Sequence, residues 1–237
     1  FTEPQAERPE EDEKLAVQAK KLGNVFFSSF FDLKTDKTMR GKNLIARNET
    51  LPLKELIQSA KGYGFVNITV EPDGKVRKIP LFITYQGKDY PSIDVIAAAY
   101  YLGVEAPELD LNTDGRGSMW INYGGGFDKF KRVSFSDIPI SANQADAGEK
   151  PNIDLNIFKD KIVLIGLTAT GTEDYWSTSL SALYPGVGIR ASSINTILRK
   201  DFISRVFTPE IFLILLFLGA AFGLVIPKRA PFEGLIF

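Results

Sequence analysis

The sequence predicts an α/β fold in which a mixed β-sheet with one β-hairpin is flanked by helices and followed by a C-terminal transmembrane helix. Three observations support this class. Segments with apolar residues at helical spacing alternate with short β-rich runs over the first 205 residues. A Pro-Asp-Gly turn separates two of the β-rich runs. Residues 211–226 form a continuous apolar stretch.

The composition excludes several classes of function. The chain has 237 residues, of which 44% are apolar and 24% are charged, and its formal net charge is -1. This balance gives no electrostatic reason to expect nucleic acid as a partner. Cysteine and histidine are both absent, which excludes disulfides, zinc sites built on thiolates or imidazoles, and catalytic triads that use histidine. We therefore expect no metal and no cofactor.

The first sixty residues predict two helices and a strand. Apolar residues at helical spacing over residues 15–19 indicate the first helix, and residues 24–27 indicate a strand. A second helical pattern covers residues 53–60, and we expect Gly62 and Gly64 to end that helix.

The clearest local signal is a β-hairpin. Residues 64–70 and 75–83 are rich in β-branched and aromatic side chains. The turn Pro72-Asp73-Gly74 lies between them, because proline presets φ and glycine accepts the exit geometry. We therefore expect these two runs to pair with each other.

A capped helix follows the predicted hairpin. Ser92 is expected to open it, and the helix should continue through Tyr101 to Gly103. The residues predicted for its buried stripe are Ile93, Ile96, Ala97 and Tyr100.

The second half of the chain contains two further strand signals and a final helix. Residues 119–123 predict a strand that runs into three glycines at 124–126. Residues 161–166 form an apolar run typical of a sheet that is covered on both faces. The last helix of the domain is expected over residues 189–199.

The apolar stretch near the C-terminus predicts a membrane span. Sixteen helical residues cover about 24 Å, less than the ~30 Å hydrocarbon core, and residues 206–208 can lengthen the helix. The alternative is a buried core helix, which in a soluble domain usually has one polar edge. Lys228 and Arg229 follow and favour a cytoplasmic loop. Arg199, Lys200 and Arg205 lie on the other flank, so the charge rule alone does not give the orientation. Residues 235–237 start a new apolar segment.

One glycine loop invites comparison with a phosphate-binding loop. Residues 166–172 have the Gly-x4-Gly spacing, but Thr172 stands where that motif requires lysine. The acidic residues Glu173 and Asp174 come next and would repel phosphate. The nearby serines have no histidine to activate them, so we predict neither nucleotide binding nor catalytic residues.

Two aromatic segments are the best candidates for a ligand site. Tyr123 lies at the end of one predicted strand, next to the three glycines, and Asp174, Tyr175 and Trp176 follow another. Loops at the carboxyl ends of strands in an open α/β sheet converge on the usual ligand crevice. The alternative is that these aromatic side chains only fill the edge of the sheet.

The ordered set of segments resembles the type-2 CHASE domain, the cyclase and histidine kinase associated extracellular sensory family. Order and spacing carry the resemblance, which extends over nearly the whole chain. The matching segments are residues 1–4, 12–16, 64–67, 73–77, 90–92, 161–166 and 185–191.

The resemblance implies an extracytoplasmic sensor of a bacterial cell or inner membrane, held between an N-terminal span and typically three downstream spans. Residues 1–205 would be the extracytoplasmic domain, with its first strands missing because Phe1-Thr2-Glu3-Pro4 indicates the end of a strand. Residues 206–226 would form the first downstream span, and residues 227–237 a cytoplasmic turn and the start of the next. The implied output is an adenylate or diguanylate cyclase, a histidine kinase or a Ser/Thr kinase.

The chain departs from the family pattern in two places. In the loop before the final helix, the family's usual Thr-Pro appears as Thr178-Ser179. Near the final helix the family often has glutamate and histidine where this chain has Gly188 and Arg190, so a role that depends on those two side chains does not carry over. The predicted ligand-binding residues are Tyr123, Asp174, Tyr175, Trp176 and Arg190.

These observations together predict a non-catalytic sensor. A small molecule or a protein ligand would shift the packing or the dimer geometry of a homodimer, and a helical segment over residues 189–205 would transmit this change into spans in the lipid bilayer. One alternative is a membrane-anchored extracytoplasmic hydrolase. Another is a non-signalling ectodomain that mediates assembly.

Overall fold

The computed structural model describes residues 2–4, 8–34, 43–169, 174–204 and 208–225. The chain divides into two units, Phe1–Phe202 and Ile203–Phe237. The first contains mixed α/β structure and the second contains one helix, so the predicted fold class is confirmed for the first unit.

A five-stranded mixed sheet forms the centre of the first unit. Its strands are β1 (Phe26–Leu33), β2 (Leu44–Thr50), β3 (Gly62–Phe65), β5 (Phe82–Tyr85) and β6 (Lys88–Pro91). They lie in the order β3–β1–β2–β5–β6. Strand β1 pairs in parallel with β3 and antiparallel with β2, whereas β2 pairs in parallel with β5 and β5 antiparallel with β6.

Helices pack on both faces of this sheet. The helices of the first unit are α1 (Pro9–Leu22), α2 (Lys54–Ser59), α3 (Ile93–Leu102), α4 (Asp137–Asp146) and α5 (Gly186–Arg199). Phe27 packs with residues of α1 and α2. Alternate strand residues face opposite sides of a sheet, and Gly64 of β3 lies on the other face. It is so close to α3 that a Cβ there would meet the Ile93 backbone. Gly62 and Gly64 therefore belong to β3, and the prediction that they end α2 is wrong.

The predicted hairpin is wrong in its pairing and correct in its turn. The Glu71 amide donates to the Lys75 carbonyl across the Pro72-Asp73-Gly74 turn. However, β3 pairs with β1, while β4 (Lys78–Pro80) pairs with β7 (Ser118–Trp120). A tight hairpin instead joins β5 to β6 through Gln86 and Gly87, both at positive φ, as expected for a two-residue connection.

Helix α3 confirms its predicted caps and corrects its predicted buried face. The Ser92 hydroxyl accepts a hydrogen bond from the Val95 amide, and Gly103 ends the helix in the left-handed conformation. Tyr100 is exposed. The buried residues are Asp94, Val95, Ala98 and Ala99, because an ion pair draws Asp94 into the core.

The run at residues 161–166 is not a strand of the sheet, so this prediction is wrong. Residues 162–167 have no regular secondary structure, and within the described part of the chain they pair with no strand. Val163 and Ile165 are exposed. The apolar pattern of this run therefore favours a strand but does not identify a partner strand.

The predicted helical connection over residues 189–205 is also wrong as a continuous helix. Helix α5 begins at Gly186 and ends at Arg199, where Lys200 adopts the left-handed conformation. Residues 201–204 are not helical. A left-handed residue turns the chain away from the helix axis, so α5 does not extend as a straight rod.

The second unit contains α6 (Thr208–Val225), an 18-residue helix. Among the described residues, no helix has the combined length and apolar character needed to cross a membrane. The predicted span over 206–226 is therefore not supported. The helix begins with Thr208-Pro209-Glu210, so its apolar part is shorter than the ~30 Å hydrocarbon core at 1.5 Å per residue. Residues 206, 207 and 226–237, including the predicted second span, lie outside the described residues.

Candidate functional site

The five residues predicted to bind a ligand lie around the first half of α5. Arg190 belongs to α5 itself. Tyr175 and Trp176 form β8 (Tyr175–Trp176), which pairs with β9 (Tyr184–Pro185) immediately before the helix. Tyr123 reaches the same place because its ring packs edge-on against Tyr184 at 5.3 Å. The five residues predicted from the sequence are therefore neighbours in space.

Tyr123 is a core residue. Its side chain is buried, and its hydroxyl donates a 2.8 Å hydrogen bond to the Val76 carbonyl. Burial raises the pKa of the Tyr123 phenol, and the nearby positive charge of Arg190 opposes this rise. Burial likewise raises the pKa of Tyr184. These two rings fill the space beside α5.

The buried tyrosines predict a loss of stability in alkaline solution. Because their folded-state pKa values lie above the ordinary value of about 10, the unfolded chain ionises first and stability falls as the pH rises above about 10. Tyr123→Phe should make that fall shallower, by up to about 1.4 kcal/mol per pH unit. Urea unfolding between pH 9 and 11 measures it, with the exposed Tyr101→Phe as control. Equal slopes for both variants would contradict this burial.

Asp174 lies at the start of α5. Its carboxylate accepts a 3.0 Å hydrogen bond from Trp176 Nε1, and its carbonyl accepts one from the Gly186 amide. A Cβ at Gly186 would overlap the Asp174 carboxylate oxygens. Glycine therefore lets the carboxylate approach the helix N-terminus, where negative charge is favoured.

Tyr175 connects the start of α5 to the segment that precedes residue 170. Its hydroxyl donates a 2.7 Å hydrogen bond to the Thr168 carbonyl. The neighbouring Gly166 lies against α5, since a Cβ there would meet the Val187 side chain. Residues 170–173, which include Glu173, lie outside the described residues.

Arg190 forms the most buried polar contact of the group. Its guanidinium donates at 2.9 Å to Asp94 Oδ2 on α3, and at the same distance to the carbonyls of Val66 and Asn67. Arg190 is 6% exposed and Asp94 is 0% exposed. Such a pair is stable only if hydrogen bonds satisfy both partners. Three acceptors surround this guanidinium, whereas Oδ1 of Asp94 has no hydrogen-bond partner among the described residues.

Burial of the ion pair changes the pKa of Asp94. Desolvation raises its pKa, and the charge and hydrogen bond of Arg190 oppose that rise. Ser193 also favours the ionised carboxylate, although its hydroxyl forms no well-aligned hydrogen bond within the described part of the chain.

Asn67 connects the ion pair to the sheet. Its side-chain amide donates to the Phe31 carbonyl at 2.7 Å, and its side-chain oxygen accepts from the Phe31 amide at 2.9 Å. Asn67 thus replaces the next pair of strand hydrogen bonds beyond β3, while its own carbonyl receives Arg190. One continuous set of polar contacts therefore joins α3, α5 and β1.

Sequence reasoning missed Asp94, Asn67 and Tyr184. Asp94 lies in the first turn of a helix, where acidic residues are common on the surface. The signal that could have found it is the apolar sequence on both sides of it, since an acidic residue within such a stretch needs a buried partner.

Comparison with known proteins gives one match. The CHASE2 domain family matches residues 1–225. This range includes the five-stranded sheet, the residues around the start of α5 and, separately, α6. The chain belongs to the CHASE2 domain family. CHASE2 domains are extracytoplasmic sensory domains of membrane signalling receptors and are not catalytic. No curated protein and no solved structure matches the chain.

Gly188, one of the positions that depart from the CHASE2 pattern, lies against aromatic side chains. A Cβ at Gly188 would overlap the rings of Phe127 and Tyr184. A glutamate at this position would therefore have to displace a packed aromatic ring. In this CHASE2 domain the aromatic side chains occupy that space.

Arg190, which also departs from the CHASE2 pattern, is an internal ion-pair partner among the described residues. Its charge is directed at Asp94 and at two backbone carbonyls. Among the residues that the structure describes, no group of acidic side chains is arranged to hold a metal ion.

Proposed function

We propose that this CHASE2 domain senses a small molecule or a protein outside the cell and relays its binding to a cytoplasmic cyclase or kinase of the same receptor. The family match over residues 1–225 carries this proposal. The ligand and the relay rest on the contacts of the site, and the type of output rests on what the resemblance to the family implies.

The contacts of the predicted site favour sensing over hydrolysis. Tyr123, Trp176 and Arg190 donate to internal acceptors. General acid–base catalysis needs side chains that converge on a reacting atom, whereas each of these groups donates to a different internal acceptor. An arrangement of this kind suits a site whose packing changes when a ligand binds near it.

Helix α5 is the element through which we propose that the change passes. Arg190 ties its first half to α3 and to the sheet, and the helix ends at Arg199. Because residues 201–204 are not helical, a shift of α5 would be transmitted as a displacement of the chain and not as a rotation of one rigid helix.

Attachment to a membrane is part of the same proposal. The side chains of α6 are apolar and exposed from Ile211 to Leu218, with Phe222 and Leu224 continuing the surface. A surface of this kind is more stable in hydrocarbon than in water. A complete crossing would need residues beyond those described. Resistance of the expressed chain to alkaline carbonate extraction from membranes would support this part of the proposal, and full extraction would contradict it.

Ligand binding can be measured directly on the 237-residue chain in detergent. The test compares melting temperatures in the presence of amino acids, sugars, organic acids and nucleotides. A ligand at 100 times its Kd stabilises the folded chain by about 2.7 kcal/mol, which should raise Tm by roughly 5–10 °C for a domain of this size. Trp176→Ala should abolish the shift, and Trp120→Ala is the matched control because it removes the other tryptophan.

The same samples separate the alternatives. Turnover of ester, phosphoester or glycoside substrates would favour the membrane-anchored hydrolase and contradict the sensor. A shift that survives Trp176→Ala would contradict the placement of the site. An absence of any shift together with stable self-association would favour an ectodomain that only mediates assembly.

A further inference from the structure

The face of the five-stranded sheet that carries Phe31, here called the inner face, encloses apolar and aromatic side chains. The end of β3 meets the chain just after β6 through a parallel bridge between Phe65 and Ser92, so the sheet curves and brings its two edges together. Phe31, Phe65 and Ile83 are buried in one cluster, and Tyr90 packs against it. A polar side chain on the inner face is therefore largely removed from water.

Glu49 places a carboxylate on the inner face. It lies directly opposite Phe31 in the antiparallel pair of β1 and β2, and directly opposed residues point to the same face of a sheet. Oε1 of Glu49 is buried and has no hydrogen-bond partner among the described residues. No ion pair joins Glu49 to a lysine or arginine in that part of the chain. A buried acceptor without a donor is costly, and more so when it is charged.

Few titratable or charged side chains share the inner face with Glu49. Burial raises the pKa of the Tyr63 phenol, and the negative charge of Glu49 raises it further, so these two groups are close. On β1, the buried Ser29 hydroxyl also has no hydrogen-bond partner among the described residues. Arg47 on β2 is exposed. The other such groups described on this face are Tyr85 of β5, Tyr90 of β6 and the exposed Lys88 of β6.

We infer that Glu49 is a proton-binding site through which this domain responds to acidity on the extracytoplasmic side of the membrane. A proton on Glu49 removes an unpaired charge from an apolar face and gives the side chain a hydroxyl donor. The ionised form leaves a buried charge without a cation. The two forms therefore differ in how well the inner face packs around this side chain.

The direction of the pH response follows from the burial of Glu49. Burial raises the pKa of Glu49 above its ordinary value of 4.5. The folded chain therefore binds this proton more tightly than the unfolded chain does. The resulting stabilisation is complete below about pH 4.5 and is lost as the pH rises through the higher folded-state pKa. Mild acidification is thus the condition that changes the charge of the inner face.

The residue opposite Glu49 connects the proton site to α5. The amide and the carbonyl of Phe31 are both bonded to the Asn67 side chain. The Asn67 carbonyl in turn accepts from Arg190 of α5. A change in charge at Glu49 would therefore act on the strand position to which the Arg190 contacts are attached. In this respect the inference rests on the proposed function, in which α5 carries the signal.

Glu49→Gln tests the proton site, because glutamine resembles the protonated carboxyl group and does not titrate. In the 237-residue chain in detergent, we expect the melting temperature of the wild type to fall relative to Glu49→Gln as the pH rises from about 4 to about 8. The fall should be roughly 3–5 °C for each pH unit by which the folded-state pKa exceeds 4.5. Glu55→Gln is the matched control, because Glu55 is exposed on α2, and its curve should run parallel to that of the wild type.

The readout is the change of this difference with pH, so a constant offset caused by the packing of glutamine does not produce it. Glu49→Met, an apolar replacement of similar length, should give the same pH-dependent difference from the wild type. If the curves of both Glu49 variants run parallel to that of the wild type over the whole range, the inference is overturned.

The fluorescence of Trp176 tests the link to α5 separately. The chain has two tryptophans, so Trp120→Phe leaves Trp176, just before α5, as the reporter. Its emission should change with the same midpoint as the stability difference, and this step should be absent when Glu49→Gln is added. A step that persists in Glu49→Gln would belong to Asp174, which bonds to the indole, and would overturn the link.

The proton site and the proposed ligand site can fail independently. Ligand binding is tested through Trp176→Ala at constant pH, whereas the proton site is tested through Glu49→Gln without ligand. Parallel melting curves for the Glu49 variants would remove the proton site and leave the sensor proposal intact. Absence of ligand binding together with the expected pH response would remove the ligand site and support the proton site.

Discussion

Replacement of Arg190 by methionine is expected to lower the free energy of unfolding by about 3–5 kcal/mol. The substitution keeps much of the apolar volume but leaves the carboxylate of Asp94 buried without its cation. The two carbonyls that receive the guanidinium also lose their donor. Urea denaturation at pH 7 measures the change.

Two further variants show whether the loss comes from an unpaired buried charge. Asp94→Leu combined with Arg190→Met removes both charges and should recover most of the lost stability, because apolar replacements of buried ion pairs are often neutral. Arg77→Met removes a partly exposed arginine that binds Glu71 and Asp73, and should cost far less stability because solvent screens these ion pairs. Equal losses in Arg77→Met and Arg190→Met would show that the Asp94–Arg190 pair is not desolvated as described.

Replacement of Phe31 by alanine is expected to cost about 3–5 kcal/mol. Phe31 is 1% exposed, and its ring contacts those of Phe65, Tyr85 and Tyr90 at centroid distances of 5.9, 5.7 and 5.4 Å. Removing the ring leaves a cavity and eliminates three edge-on or tilted aromatic contacts, each of which stabilises beyond its area alone. The measurement is again unfolding by urea.

The neighbouring residue provides the control. Phe30 precedes Phe31 on the same strand, points to the opposite face of the sheet and is 51% exposed. Phe30→Ala removes the same atoms and should change stability by no more than about 0.5 kcal/mol. If the two variants lost equal stability, the assigned faces of β1 would be wrong.

Local signals predicted what local interactions determine. Ser92 and Gly103 cap α3 as expected, and the glycine turn after Asp73 forms where its sequence predicts. Each of these features depends on the conformation and hydrogen bonds of a few adjacent residues. The sequence alone is sufficient for them.

Features that depend on distant residues were not predicted. The buried face of α3 is rotated from the expected stripe because Asp94 binds Arg190, which lies 96 positions later. Similarly, the run at 161–166 has the composition of an internal strand but lies at the surface. Apolar patterning indicates that a segment needs a partner and does not identify the partner.

The candidate site was predicted in part for the same reason. Loops after strands were expected to converge, and Tyr123, Trp176 and Arg190 do lie around one end of α5. What each side chain does there depends on its acceptor: Val76, Asp174 or Asp94. Those acceptors lie 47, 2 and 96 positions away, and only the closest could be considered from sequence.

The two bonds between Asn67 and the Phe31 backbone require both polar atoms of one side-chain amide. An aspartate at this position could still accept from the Phe31 amide, but an ionised carboxylate could not donate to the Phe31 carbonyl. Two acceptors would then face each other inside the fold, so exchanging one NH2 group for an oxygen would loosen the segment whose carbonyls receive Arg190.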